Sequence, residues 1–305
     1  MSGELTYNFK EHVVAAKFIG ASVLFVEGKD DISVYKRIAD DLGKKIEVLA
    51  ADAICHSGKN CCRVEFIVDN IVQNLGPKEK LLGNRFLGIV DGDAKKYRGG
   101  VRNKPNLLEL NLYSIESYFI SRKLVVDLLK HTTSSYGMIT KPTVKYVLDE
   151  MCKNIKNDLY YPALDALYGS CEASYTSTYE YKLEWGQFNH KKQFFSLDNV
   201  KGLLDTFSAS RKIECCWEDI LKICKGKWVL RYFIERYRDV VVNLPTLCSS
   251  GRIKSCMYRS CPDHSDKCLY KSEKASIQEP VLENFIRKSH LNNIFFLKKK
   301  ILALA

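Results

Sequence analysis

The sequence predicts an α/β fold: a parallel sheet with flanking helices over residues 1–120, of which 1–20 form an N-terminal extension, and a mainly α-helical region over 121–305. Two observations carry this expectation. As far as residue 116, apolar runs of strand length alternate with amphipathic runs of helix length, the order that a parallel sheet with helical crossovers requires. Beyond it, the apolar residues recur mainly at three- and four-residue spacing.

In order along the chain, "ASVLFVE" (21–27) reads as a buried strand. "DISVYKRIADDLG" follows as a helix, with Ile32, Tyr35 and Ile38 on one face and Gly43 as its stop. "KIEVLA" is the second strand. "NCCRVEFIVDNIVQNL" is the next helix, with Val64, Ile67, Val68, Ile71 and Val72 along one side and Gly76-Pro77 ending it. "RFLGIVDGD" gives a third strand and "LLELNLYSIE" a fourth. Helical spacing then marks "IESYFISRKLVVDLLKH", "KPTVKYVLDEMCKNI", "LDNVKGLLDTFSAS" and "WVLRYFIERYRDVVVNL".

Charge is unevenly spread. Residues 1–120 hold 17 Lys/Arg against 16 Asp/Glu, whereas the remainder holds 30 against 20, so nearly all of the net +11 lies outside the strand-rich part. Such an excess suits a polyanion-binding surface. No apolar run reaches the roughly 20 residues of a bilayer span and no secretory signal opens the chain, so a cytoplasmic protein without membrane contact is expected, its 12 cysteines mostly reduced.

Ligands of parallel sheets gather at the carboxyl ends of the strands. Glu27 and Asp91 both stand where an apolar strand stops, which brings them to one rim. Asp31 lies four residues after Glu27 across a strand-to-helix turn. Asp91 and Asp93 flank Gly92, which allows the chain to turn sharply enough for two carboxylates to converge. Together with Glu116 these are hard oxygen donors, suited to Mg²⁺ or Mn²⁺ and not to Zn²⁺. Clustered without a cation they would repel one another and hold their protons more tightly. Several carboxylates around one or two metals are the usual equipment for phosphodiester cleavage.

In this order and spacing, "LFVEGKDD" and "LGIVDGDAKK" resemble the two motifs of Toprim domains, found in topoisomerases, primases and nucleases of the overcoming-lysogenization-defect type. The resemblance covers about residues 20–120 and implies a Rossmann-like sheet, with Glu27 as general base or metal ligand and Asp91 and Asp93 as metal ligands. The nuclease branch fits better, because Asp31 matches its second acidic group and Glu116 in "IESYF" its later one. That branch also carries a lysine in a downstream "GK" segment, matched by Lys227 of "CKGKWVLRYF", with Lys225 as substitute. A lysine at a helix start opposes the helix dipole unless an anion such as a phosphate binds there.

The solitary Toprim-like unit with a helical C-terminal part is similar to the Toprim effector subunits of PARIS antiphage systems. This implies a nuclease restrained and released by a separate ABC-type ATPase, cleaving RNA such as tRNA, with dimerisation on activation. Lys95, Lys96 and Lys225 would then contact the nucleic acid. The chain has no G-x-x-x-x-G-K-[ST] pattern, so ATP hydrolysis would belong to the partner. Two other readings compete: a regulatory nucleic-acid or ATPase-binding module without cleavage, and a dehalogenase-type phosphatase built on "DGD", which would need its nucleophile near the chain start and no Glu27.

Outside this constellation, Cys256, Cys261, His264 and Cys268, with Cys248 as a spare, offer structural Zn²⁺ ligands in a Cys/His-rich loop at 248–268. The alternative is a cluster of reduced thiols. "HSGKN" from His56 lines the rim or caps a helix. The tyrosines between 160 and 181 stack on bases or, as the favoured alternative, pack within the protein or against a partner. "NNIFFLKKKILALA" is an amphipathic end that docks on the body or self-associates.

Overall fold

A computed structural model describes residues 9–55, 61–100, 104–135, 139–253 and 268–305. They form two compact units, Met1–Asn111 with Asn293–Ala305, and Leu112–Asn292.

The first unit is α/β. Strands β1 (Ser22–Val26), β2 (Ile46–Ala50), β3 (Phe86–Val90) and β4 (Leu107–Glu109) make a four-stranded sheet in the order β2-β1-β3-β4. Every pairing is parallel, with Phe25 opposite both Leu49 and Gly88, and Ile89 opposite Leu108. The two central strands are buried along their whole length, as their unbroken apolar runs require, whereas β2, at an edge, is exposed at Glu47, half-buried at Ile46, Val48 and Leu49, and buried only at Ala50. Helices α1 (Lys10–Phe18), α2 (Ile32–Asp41), α3 (Ala51–Ile54) and α4 (Cys61–Gln73) flank the sheet. Val13 and Ala16 of α1 and Val64, Ile67, Val68 and Ile71 of α4 share one core with Val23, Phe25 and Phe86. Gly88 lets α4 lie close, because a Cβ there would stand 2.6 Å from Val68 Cγ2 and 2.8 Å from Val64 Cγ1. Gly43 ends α2 at φ +63°.

The second unit is helical: α5 (Arg122–Thr132), α6 (Lys141–Cys152), α7 (Tyr161–Cys171), α8 (Trp185–Phe194), α9 (Lys201–Arg211), α10 (Trp217–Ile223), α11 (Gly226–Val242), α12 (Leu244–Ser249) and α13 (Glu279–Lys288). Its spine is α11, whose Trp228, Tyr232, Phe233 and Tyr237 are fully enclosed. Their polar ends find partners, as buried rings must. Trp228 Nε1 donates to Leu183 O at 2.9 Å, Tyr232 Oη to Met151 O at 3.1 Å, and Tyr237 Oη shares a 2.6 Å bond with Thr132 Oγ1. Tyr160, Tyr161 and Tyr179 are buried, so their packing alternative is the one found. Asp165, buried within α7, accepts from Tyr175 Oη at 2.5 Å and from the Tyr179 N–H at 2.6 Å.

The division falls after Asn111 and not at 120. Strand β4 stops at Glu109, and Tyr113 N–H already donates to Leu221 O at 2.9 Å within the second unit. The C-terminal residues return to the first unit. There α14 (Phe295–Leu302) buries Leu297 and Ile301, Ser22 Oγ donates to Ala305 O at 2.6 Å, and Lys44 Nζ donates to Leu304 O at 2.7 Å. Among the described residues no helix is long and apolar enough to cross a membrane. The expected zinc ligands Cys256, Cys261 and His264, and the segment His56–Asn60, lie outside the described residues. Cys268 and Cys248 are described and buried.

Candidate metal centre

Strands β1 and β3 are neighbours, while β2 and β4 lie on opposite outer sides of them. That makes the gap between the ends of β1 and β3 the point where the strand order reverses, the place where parallel sheets hold ligands. Glu27 directly follows β1 and Asp91 directly follows β3. The expectation that they share a rim is met by a bond: Asp91 N–H donates to Glu27 Oε1 at 3.0 Å.

The loop after β3 has an unusual backbone. Asp93 and Ala94 both adopt left-handed conformations, at φ 44° and 55°. Aspartate tolerates this region, but alanine pays roughly 1–2 kcal/mol for it. Hydrogen bonds hold the loop: Lys95 N–H to Gly92 O at 2.7 Å, Lys95 Nζ to Asp91 O at 3.0 Å, and the Arg98 guanidinium to Asp93 O. Lys95, predicted to touch nucleic acid, is therefore also a tether of the aspartate loop. Lys96 is exposed beside it, its ammonium 4.7 Å from the Tyr97 ring centroid. A charged donor contributes about 1.5–3 kcal/mol when well shielded, and less at an exposed site such as Arg98. Arg98→Ala is thus expected to speed amide exchange at Lys95 about tenfold while moving Tm by no more than about 2 °C. Unchanged exchange across residues 91–98, read by mass spectrometry, would count against the tether.

The electrostatics follow from burial. Glu27 is half-buried, and its carboxyl is pushed up to about 7, first by loss of water, then by Asp93, with Asp31 adding to the effect. The Asp91 N–H and the Lys95 ammonium oppose the shift. Burial also raises Asp93, against Lys95 and Arg98. Asp31 has a local duty, because its Oδ2 accepts from Gly28 N–H at 3.2 Å and closes the turn that leads into α2. Glu27, Asp31, Asp91 and Asp93 thus belong to one site. Among the described residues, however, no three Asp, Glu, His or Cys side chains are arranged as a ready ligand set. The donors are all carboxylate oxygens, which fit Mg²⁺ or Mn²⁺. The upward shift of Glu27 comes first from burial and then from that clustering, and a bound cation would relieve it.

Glu116 and Lys227 belong to the second unit, where their segments meet. Glu116 is buried, and Ser114 Oγ donates to its Oε2 at 2.6 Å. Gly226, the first residue of α11, packs on this pair so closely that a Cβ there would lie 1.9 Å from Ser114 Oγ and 3.0 Å from Glu116 Oε2. A buried carboxylate is well placed at a helix N-terminus, where peptide N–H groups lack helical partners. Lys227 is exposed in that first turn. Lys225 is engaged otherwise, its Nζ donating to Leu183 O at 3.1 Å and to Glu184 Oε1 at 3.2 Å, so it serves as a tie to the α8 entry.

Sequence reasoning did not find Ser114, Gly226, Arg98 or the strain at Ala94. Ser114 and Gly226 are 112 positions apart in the chain, and no local pattern links them. The left-handed pair does have a local signal, since Asp-Gly-Asp is a sequence that turns. Compared with models of known protein families and with curated proteins, the chain matches none.

Proposed function

We propose that the protein is a Mg²⁺- or Mn²⁺-dependent endonuclease of the Toprim type, acting on RNA such as tRNA under the control of an ABC-type ATPase partner. The observation that carries the chemical part is the Glu27–Asp91 bond at the strand-order reversal, with Asp93 and Asp31 close enough to raise Glu27. RNA, the ATPase and the defence role rest on the sequence resemblance.

In this reading Glu27, Asp91 and Asp93 hold the cation, and Asp31 closes the turn beneath it. The cation, when bound, polarises the phosphodiester and lowers the pKa of a bound water. Glu27, whose raised pKa belongs to the cation-free site and would fall beside a cation, serves as its ligand or as the base that takes a proton from water. Lys95 and Arg98 keep the aspartate loop in its strained turn. Lys227 and Glu116 retain the roles that the resemblance implies.

The experiment is incubation with tRNA, mRNA and DNA in Mg²⁺, with and without ATPase and trigger, using Glu27→Ala and Asp91→Ala as controls. Loss of cleavage by at least about a thousandfold in both folded variants is expected, as for removal of a catalytic group. Cleavage retained in both would remove the site assignment. The second reading is a binding module that does not cleave. It predicts a stable ATPase complex and no metal-dependent cleavage under activating conditions.

A further inference from the structure

The second unit holds a cleft of about 440 Å³ that the reading above leaves unused. One wall comes from the π-helical turn Lys156–Tyr160 and the start of α7, the other from the end of α8 and the loop after it. Wide turns of this kind interrupt a helix at some cost and recur at functional sites. The volume lies within the range of small-ligand sites.

The lining combines aromatic rings with cations. Phe194 and Phe195 line the cleft yet remain 67% and 54% exposed, whereas the tyrosines at 160, 161 and 179 are buried. The aromatics available to a ligand are therefore this phenylalanine pair. Lys192 is held 3.5 Å from Asp158, and Lys201 is held 2.6 Å from Asp198, with its ammonium 5.4 Å from the Tyr161 ring centroid. Asn157 and Gln193 add amide donors and acceptors.

We infer that this cleft receives one or two bases of a single-stranded nucleic acid, which stack on Phe194 and Phe195 while Lys192 and Lys201 meet the flanking phosphates. The inference deepens the nuclease reading and rests on it for the choice of polyanion. Stacking platforms beside lysines are how single strands are held without sequence readout. The exposed phenylalanine pair favours a planar base over an acidic peptide. Asp158 and Asp198, which repel a phosphate as much as a carboxylate, can accept from base amino groups, and their pairing with the lysines holds the ammonium groups in place.

The test is fluorescence anisotropy of the full chain with a labelled single-stranded RNA of about 12 nucleotides and its DNA counterpart, in EDTA at several salt concentrations. Phe194→Ala/Phe195→Ala is expected to weaken both by about tenfold or more with an unchanged salt slope, and a leucine pair should lose nearly as much. Lys192→Gln/Lys201→Gln is expected to flatten the salt slope by about 1.4, the value for two single-strand phosphates. Affinity within about twofold of wild type in the alanine variant would overturn the inference, as would an acidic peptide that binds better than RNA, or a wild type that binds no single strand. Binding in EDTA is read apart from cleavage. A protein that cleaves but ignores the phenylalanines defeats this inference alone, while phenylalanine-dependent binding without cleavage defeats only the nuclease reading.

Discussion

In EDTA at about pH 8, Glu27→Gln is expected to be more stable than wild type by about 1–2 kcal/mol, and at about pH 4.5 the two should coincide. The direction follows from burial. In the folded protein Glu27 titrates near 7, above its ordinary 4.5, so the native state keeps a proton that the unfolded chain releases. Stability from this group is therefore fully present below about pH 4.5 and is lost as pH rises through about 7. Glutamine mimics the protonated acid at every pH and still accepts the Asp91 N–H bond. The full shift converts to about 3 kcal/mol at most, and partial contact with water reduces it. Millimolar Mg²⁺ should then raise the Tm of wild type at about pH 8 and leave the glutamine variant nearly unmoved. A wild type that melts at the same temperature from pH 5 to 8 would remove the electrostatic basis of the site.

Gly226→Ala should be the most damaging small substitution in the second unit. The new methyl would overlap Ser114 Oγ at 1.9 Å, so the serine must rotate and leave the buried Glu116 carboxylate without its 2.6 Å donor. Overpacking and a lost charge-assisted bond together cost about 2–4 kcal/mol, or about 5–15 °C in Tm for a unit of this size. Ser114→Ala in the same chain removes the overlapping oxygen. The double variant should therefore be more stable than the sum of the single changes predicts, by about 1 kcal/mol or more. Strict additivity of the two changes, measured by denaturant unfolding, would show that the contact is not what restricts position 226.

The first unit was readable because its chemistry is local. Val23–Val26 and Phe86–Val90 announce central strands by composition, and Ile32, Tyr35 and Ile38 announce a helix by spacing. Helix α1 was harder, since only Val13 and Ala16 of "KEHVVAAKF" are buried and so short a stripe scarcely departs from an unstructured extension. The carboxylates at 27, 91 and 93 were legible for the same reason as the strands, since each directly follows or closely trails an apolar run. The packing of Gly226 on Ser114 and Glu116 was not, because tertiary contact alone joins two ordinary local sequences. Lys225 shows the opposite limit: as a cation in a basic segment it suggests a nucleic-acid contact, yet the fold gives its ammonium to Leu183 and Glu184.

The route of the chain through the two units bears on the order in which they mature. The second unit is continuous from Leu112 to Asn292, whereas the first is completed by Asn293–Ala305. Domains fold as units while the chain is still being synthesised. The helical unit can thus close as soon as it has emerged from the ribosome, but the sheet unit, translated earlier, waits for residues 293–305. Leu297, Ile301 and the bond of Ser22 to Ala305 therefore join the first unit only after residues 112–292 have been made, so the packing of α14 on that unit is a late event in its maturation.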